Sequence, residues 1–104
     1  MAAVELTRWR HDQPPTRSRL DVIFRQSGLS PSWWSNGPGD RYAAHSHSYN
    51  KVLLCAEGSI TFRIEPEDAD HELRHGDRLD IPRGTSHSAI VGPTGVTCVE
   101  AQTN

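Results

Sequence analysis

The sequence has little of the material that several classes of protein require. Its longest unbroken apolar run is Val52 to Ala56, which is far too short to cross a bilayer. Its 11 Lys and Arg residues are matched by 13 Asp and Glu residues and form no basic cluster, which argues against nucleic acid as a partner. A length of 104 residues fits one domain with one core. We therefore expect a small soluble protein that binds neither membrane nor nucleic acid.

Cysteine and targeting signals are equally scarce. Cys55 and Cys98 are the only cysteines, so the chain can form at most one disulfide. Residues Met1 to Arg10 mix charged with apolar side chains and contain no apolar segment of the secretory type. No pair of helices of the DNA-reading kind is indicated either. These features predict a cytoplasmic protein in which both thiols stay reduced.

Residues 1–31 are predicted to form an N-terminal extension with one short helix. Pro14-Pro15 prevents a continuous helix through the first part of this extension. Ser18 begins a capping-box-like pattern, and Gly28 is suited to end the helix. Between them, apolar side chains recur at helical spacing: Leu20, Ile23 and Phe24.

Residues 32–104 show a different pattern, in which short alternating apolar runs are separated by turn residues. Glu57-Gly58 predicts a hairpin turn, and Gly92 to Gly95 predicts the separation of the last two strands. Seven or eight short strands at this spacing are typical of an antiparallel sandwich or barrel. The sequence therefore predicts an all-β domain after the extension.

Three histidines are the strongest candidates for chemistry. His45 and His47 lie two residues apart, so on a strand both imidazoles point to one face. His87 begins a later strand directly after a Pro-Gly turn. Three neutral imidazoles that converge from two strands suit Zn, Fe, Ni or Mn and leave coordination positions open.

The spacing around these histidines resembles two motifs of the cupin family. In the first, five residues separate Gly39 from His45, one separates His45 from His47, three lead to Lys51, and six lead to Gly58. In the second, five residues separate Gly76 from Pro82, and Gly84 and His87 follow after gaps of one and two residues. With the span between them, the two motifs cover about half of the chain, from Gly39 to His87.

The resemblance implies a fold, a cofactor and an assembly. Cupins are double-stranded β-helix (jelly-roll) barrels, so it implies an all-β barrel with one short N-terminal helix. It implies one divalent metal ion with His45, His47 and His87 as ligands, and a small-molecule substrate or ligand. Related small cupins are often homodimers. We expect a homodimer here too, because edge strands need covering and the segment around Trp9 is long enough to add a strand to a neighbour.

The sequence departs from the cupin motifs at two positions. Val91 stands where the second motif usually has Asn, and Lys51 stands where the first motif usually has a ligating Glu. Lys51 is also the only lysine of the chain. By strand parity its side chain faces the same side as His45 and His47 unless the chain bulges near Asn50.

Three arrangements of Lys51 are open at this stage. In the first, the histidines bind metal and Lys51 is neutral, acting as general base or nucleophile. In the second, no metal is present and the ammonium group takes its place, so the cavity binds a small carboxylate or phosphate. In the third, Lys51 extends to the rim or pairs with an acidic residue such as Glu100 and has no functional role.

Strand parity also points to residues around the metal ligands. Tyr49 is predicted to face inward, where it acts with Lys51 as a catalytic residue. Arg41 has the same parity as His45 and is predicted to bind a substrate carboxylate at the cavity mouth. Phe62 is predicted to form a substrate-contacting cavity wall, whereas Cys55 is expected to be a buried, inert thiol.

The cupin fold alone does not select a function, because it hosts many reactions. We expect a metal-dependent enzyme of dioxygenase or isomerase/lyase type that acts on a small polar metabolite. The alternatives are a non-catalytic module that binds an anion or a sugar, and an inactive cupin kept as a structural dimer.

Overall fold

The structure, a computed structural model, describes residues 3–104. This part of the chain is mostly antiparallel sheet, with one α-helix and one short 3-10 turn at Glu65–Glu67. The helix and strands, in chain order, are β1 (Glu5–Thr7), α1 (Arg17–Gln26), β2 (Ser32–Asn36), β3 (Arg41–His45), β4 (Asn50–Ile64), β5 (Ala69–Arg74), β6 (Arg78–Ile81) and β7 (His87–Thr103). The prediction of an all-β barrel with one short N-terminal helix is confirmed.

Two long strands, β4 and β7, hold the barrel together. They pair antiparallel from Asn50 opposite Thr103 to Ile64 opposite His87. The first half of β4 also pairs with β6 and its second half with β5, while β7 pairs with β3 and then β2. The two strands therefore belong to both sheets: β1-β6-β4-β7-β2 and β5-β4-β7-β3.

The turns predicted at Glu57-Gly58 and at Gly92 to Gly95 are wrong, because both strands continue through these positions. The register of β4 on β7 shifts on both sides of Gly58, so the turn residues form β-bulges that bend the strands from one sheet into the other. Gly58 has φ 75°, and a Cβ there would lie 1.9 Å from the carbonyl oxygen of Gly95. The glycine thus permits the two strands to cross closely at the bend.

The helix α1 covers the outer face of the first sheet. Its Leu20 and Phe24 are fully buried, and they pack with the outward-facing side chains of β4 and β7: Val52, Leu54, Ala56, Val99 and Ala101. The N-cap is Thr16 rather than Ser18, since the Thr16 hydroxyl accepts a hydrogen bond from the Arg19 amide at 3.1 Å. Gly28 follows the helix with φ 76°, as its predicted place at the helix end requires. None of the helices in residues 3–104 is long and apolar enough to span a membrane.

The N-terminal strand covers an edge of the first sheet. β1 pairs with β6 of its own chain, with Glu5 opposite Asp80 and Thr7 opposite Arg78. An exposed edge of the first sheet is available within the same chain, so β1 covers it without a second subunit. The homodimer stays a prediction, and so does the strand that the segment around Trp9 would add to a neighbour.

Asp77 anchors the segment that follows β1. This buried carboxylate accepts hydrogen bonds from the Arg8 guanidinium at 2.6 Å and from the Trp9 and Arg74 amides at 3.0 Å each. Burial raises the pKa of Asp77, but these hydrogen bonds and the positive charge of Arg8 outweigh it and hold the pKa below its usual value. The ionised carboxylate therefore stabilises the folded N-terminal segment.

Asp77→Asn should lower the free energy of unfolding by about 1–3 kcal/mol at pH 7, because an amide cannot replace a carboxylate that accepts three hydrogen bonds. The difference from wild type should be complete above about pH 4, near the carboxyl pKa of an unfolded chain, and should shrink as the pH falls through the lowered pKa of Asp77. Urea unfolding across this pH range measures both effects. The matched control is Asp70→Asn, whose carboxylate is 61% exposed beside Arg63 and should cost less than about 1 kcal/mol. Equal losses for both variants would contradict the assignment.

Candidate metal centre

The backbone brings the three histidines together from both cupin-like motifs. His45 ends β3 and lies opposite His87, which begins β7. His47 lies just after β3, and its carbonyl oxygen accepts a hydrogen bond from the Gly84 amide at 2.8 Å. This bond joins the His47 segment to the turn before His87. The two motifs are therefore held in contact by backbone pairing rather than by the imidazoles themselves.

The imidazole rings converge on one point inside the barrel. The ring centroid of His45 lies 4.8 Å from that of His47 and 4.5 Å from that of His87, and the remaining pair is 5.2 Å apart. One ring nitrogen from each residue lies within 4.8 Å of the other two. Three nitrogens at this spacing can reach a common cation with bonds near 2 Å after small side-chain movements.

Hydrogen bonds determine which ring nitrogen of His45 and of His87 carries the hydrogen and which keeps its lone pair. The Nδ1 atom of His45 lies 2.7 Å from the Ala43 carbonyl oxygen, and the Nδ1 atom of His87 lies 2.8 Å from the Thr85 carbonyl oxygen. A carbonyl oxygen only accepts, so each Nδ1 carries the hydrogen and each neutral ring keeps its lone pair on Nε2. Such a second hydrogen bond is the usual support of a metal-ligating histidine.

The Nε2 atoms of His47 and His87 are buried and have no hydrogen-bond partner among residues 3–104. Buried polar atoms without a partner are rare because their desolvation is not repaid. Burial, the positive charge of Lys51 and the neighbouring His45 lower the pKa of His47. Burial is the main cause that lowers the pKa of His87, and the neighbouring His45, Lys51 and His47 lower it further. The hydrogen bond with the Thr85 carbonyl oxygen acts in the opposite direction. Neutral imidazoles with free Nε2 atoms are the form that ligates a metal, so the residues present fit a divalent ion.

The histidines lie in a cavity of about 290 Å³, which we call the central cavity. Its histidine side includes Tyr49, whose ring stacks on His47 with centroids 4.7 Å apart and an interplanar angle of 27°. Its apolar wall is formed by Ile60, Phe62 and Ala89, and the Phe62 centroid lies 6.2 Å from that of His87. Phe62 and Tyr49 are therefore placed where the sequence predicts.

Lys51 also lines the central cavity, as strand parity predicts. Its Nζ atom lies 3.3 Å from Oε1 of Glu100, and the side chains are 11% and 17% exposed. The same Oε1 accepts a hydrogen bond from Nε1 of Trp34 at 2.6 Å. The pairing of the third arrangement is thus present, but it lies inside the cavity and not at a solvated rim.

Arg41 does not line the central cavity, which corrects the parity argument. It lies opposite Ile90 and is exposed on the outer face, whereas Tyr42 lies opposite Ala89 and lines the cavity. The register of β3 on β7 shifts between Tyr42 and His45, and a bulge of this kind reverses the parity counted along a strand. The Tyr42 hydroxyl donates a hydrogen bond to Oδ1 of Asn36.

Trp34 and Tyr42 are the aromatic cavity residues that sequence reasoning missed. The Trp33-Trp34 pair indicates that one indole faces inward and one outward, but it does not say which. The structure shows that Trp33 faces outward and packs against the cluster around the α1 helix. Trp34 faces inward and packs against the core inside the barrel. Nothing in the sequence near Tyr42 signals the bulge that turns it inward.

Cys55 and Cys98 lie opposite each other on β4 and β7, both free and fully buried. The hydrogen bond with Cys55, together with burial, raises the pKa of the Cys98 thiol. Neither thiol lines the central cavity, so the expectation of inert cysteines fits their placement.

The tautomer assignment predicts a nuclear magnetic resonance signature. In metal-free protein at neutral pH, His87 should show a protonated Nδ1 and an unprotonated Nε2 in long-range proton–nitrogen spectra. The exposed His75 serves as the control and should show averaged nitrogen shifts. A His87 ring protonated on Nε2 would contradict the assignment and remove its lone pair from the cavity.

Comparison with known proteins supports the fold. No protein-family model matches the sequence, and no curated protein matches it. Among solved structures, an RmlC-like cupin from Shewanella frigidimarina is 22% identical, with a TM-score of 0.62 over 71% of this chain and 64% of that chain. KdgF from Halomonas sp. is 18% identical, with a TM-score of 0.61 over 73% and 69% of the two chains. The polyketide cyclase RemF from Streptomyces resistomycificus is 22% identical, with a TM-score of 0.63 over 73% and 55%.

Identities this low show the fold and nothing beyond it. The two sheets that share β4 and β7, the motif spacing and these structural neighbours agree with one another. The chain therefore has the cupin fold, a double-stranded β-helix with a cluster of three histidines inside its barrel.

Proposed function

We propose that this protein is a metal-dependent enzyme that acts on a small polar metabolite at one divalent ion, which His45, His47 and His87 would hold. The observation that carries the proposal is the pair of buried, unpartnered Nε2 atoms on His47 and His87, which face a third imidazole. Without a cation, this arrangement leaves two ring nitrogens desolvated and without a partner. With a cation, each lone pair gains a bond.

The donor set bears on both the metal and the reaction. Three neutral imidazoles suit Zn, Fe, Ni or Mn and leave coordination positions for substrate. Such an ion supplies Lewis-acid or oxygen chemistry, which is why we place the reaction among dioxygenases and isomerases or lyases. RemF is named a polyketide cyclase and has this fold, so the fold is compatible with catalysis on a small molecule.

The chain's own residues would do the remaining work around the substrate. Tyr49 lines the cavity with its ring stacked on His47 and is our candidate for moving a proton. Lys51 places a positive charge in the cavity, where it would stabilise negative charge on a substrate oxygen. Phe62 would pack against the apolar part of the substrate and exclude water.

A non-catalytic module that binds a small ligand is the second candidate, and Lys51 favours it. The usual cupin ligand at this position is an anion, whereas here an ammonium group shares the cavity with the histidines. Like charges repel by several kcal/mol at about 4 Å and an effective dielectric near 20. An anion or a sugar bound without metal would avoid this repulsion.

Metal content distinguishes the two candidates. Protein purified without a His tag should contain about one divalent ion per chain by elemental analysis, because three ligands converge on one point. His47→Ala and His87→Ala should each lose most of the ion. The control is His75→Ala, which removes an exposed histidine outside the cavity and should retain it. Wild-type protein that stays metal-free after incubation with excess Zn, Fe, Ni and Mn would contradict the enzyme proposal and favour the binding module.

Exchange of the charge at position 51 should raise metal affinity. Lys51→Glu offers an anionic oxygen ligand and removes a positive charge, so we expect metal to bind about tenfold tighter or more in chelator competition. Because Glu100 lies 3.3 Å from Lys51, the single variant also sets two carboxylates side by side. The double variant Lys51→Glu/Glu100→Lys keeps an ion pair and isolates the ligand effect.

Lys51→Met is the neutral control for this exchange, since it keeps most of the side-chain volume and should leave metal bound. If Lys51→Glu and the double variant both bind metal no tighter than Lys51→Met does, position 51 does not reach the coordination sphere. The proposed place of Lys51 beside the metal would then be wrong.

A further inference from the structure

The central cavity contains two polar groups with different chemistry. It is lined by the three histidines and by the Lys51–Glu100 ion pair, and the charge of Lys51 acts on His47 and His87. Ile60, Phe62 and Ala89 form the apolar wall of the same space. A ligand that fills the cavity therefore meets metal-ligating nitrogens, an apolar surface and a fixed ion pair at once.

The ion pair holds Lys51 in a defined place. Trp34 donates its indole hydrogen to Oε1 of Glu100 at 2.6 Å, which orients the carboxylate. That same oxygen lies 3.3 Å from Nζ of Lys51. An ammonium group has three donors, and its contact with Glu100 is an ion pair, so Lys51 keeps donors for a ligand while the charge of its partner holds it in place.

We infer that Lys51 binds the carboxylate of a small carboxylic-acid substrate and that Glu100 is the residue that positions Lys51 for it. This assignment rests on the proposed function only in taking the central cavity as the ligand site. The bound carboxylate receives charge-assisted hydrogen bonds from Nζ, and the rest of the molecule packs on the apolar wall.

The charges of the cavity favour a monoanion over a phosphate. Lys51 is its one cationic side chain among the described residues, and Glu100 opposes it within 3.3 Å. Arg41, the obvious second cation, lies outside the cavity. In the metal-free cavity, a phosphate dianion would meet a single ammonium together with a carboxylate, without the fork of an arginine that phosphate sites commonly use.

The size of the cavity further limits which class of ligand can bind. A volume of about 290 Å³ lies at the lower end of ligand-binding pockets. The wall of Ile60, Phe62 and Ala89 offers no hydrogen-bonding side chain, so the part of the ligand that lies on this wall is apolar or aromatic. A compact aromatic or unsaturated carboxylic acid meets all of these conditions.

Calorimetric titration with salicylate and with its neutral analogue salicylamide tests the assignment. Both the zinc-loaded and the metal-free protein are used, so that attraction of the carboxylate to the metal is separated from attraction to Lys51. Wild-type protein should prefer salicylate by about tenfold or more in both states, because hydrogen bonds to charged groups are the stronger ones. Lys51→Met should lose the preference in the metal-free protein, whereas Lys51→Arg should keep most of it.

Glu100→Gln provides a second, independent measurement. An amide oxygen can still accept from Trp34 and Lys51, but the negative charge is gone, so the preference for salicylate should widen while salicylamide binding stays the same. This variant also decides the matter if Lys51→Met fails to fold. Equal binding of the two probes to metal-free wild type, a preference that survives in Lys51→Met, or no change in Glu100→Gln would each overturn the assignment.

The proposed function fails separately from this assignment. If the protein never binds zinc but still shows a preference for salicylate that depends on Lys51, the carboxylate site is supported and the proposal of a metal enzyme is contradicted. If the preference for salicylate requires zinc and does not depend on Lys51, the metal site is supported and the role of Lys51 is contradicted.

Discussion

The long antiparallel pairing of β4 with β7 is the interaction on which the rest of the structure depends. Because each strand runs through both sheets, a single ladder of backbone hydrogen bonds joins the barrel from Asn50 to Ile64. One end of this ladder places His87 opposite Ile64, and the pairing of β7 with β3 sets the same His87 opposite His45. The other end brings Lys51 of β4 near Glu100 of β7. Hydrophobic contacts then fill the space, with the α1 helix sealing the outer face and the inner core closing around the cavity. The histidine cluster and the ion pair of the cavity therefore both depend on this one strand pair.

Much of this arrangement is predictable from the sequence, because it depends on local spacing. The interval between His45 and His47 follows from strand geometry, and the Gly84 to His87 spacing follows from a turn that leads into a strand. The prediction failed where the same residues permit two structures. Glu57-Gly58 suits a hairpin turn and also suits a bulge, and only the pairing of both halves of β4 with β7 selects the bulge. Strand parity failed at Arg41 for the same reason, since a bulge before His45 leaves no mark in the sequence.

Lys51 shows the other limit of sequence reasoning. Its inward direction follows from parity, but its state depends on a partner on β7, far away along the chain. Glu100 is one acidic residue among many in the sequence, and its place in the cavity depends on the register of β4 against β7 and on the indole of Trp34. The three arrangements open at the outset differ only in this environment. The structure places the acidic partner of the third arrangement beside Lys51, but inside the cavity that the first two arrangements require.

The charges in the cavity connect metal binding by the histidines with the class of small molecule that the cavity binds. In a cupin that has Glu at this position, the protein itself contributes negative charge to the metal. Here Lys51 and Glu100 cancel each other, and burial keeps His47 and His87 neutral by lowering their pKa. A divalent ion in such a site keeps its full positive charge inside a barrel of low dielectric, where uncompensated charge is expensive. A bound carboxylate would reduce that charge and would also satisfy the free donors of Lys51. Because the protein supplies little net negative charge to its cavity, metal binding and anion binding should strengthen each other.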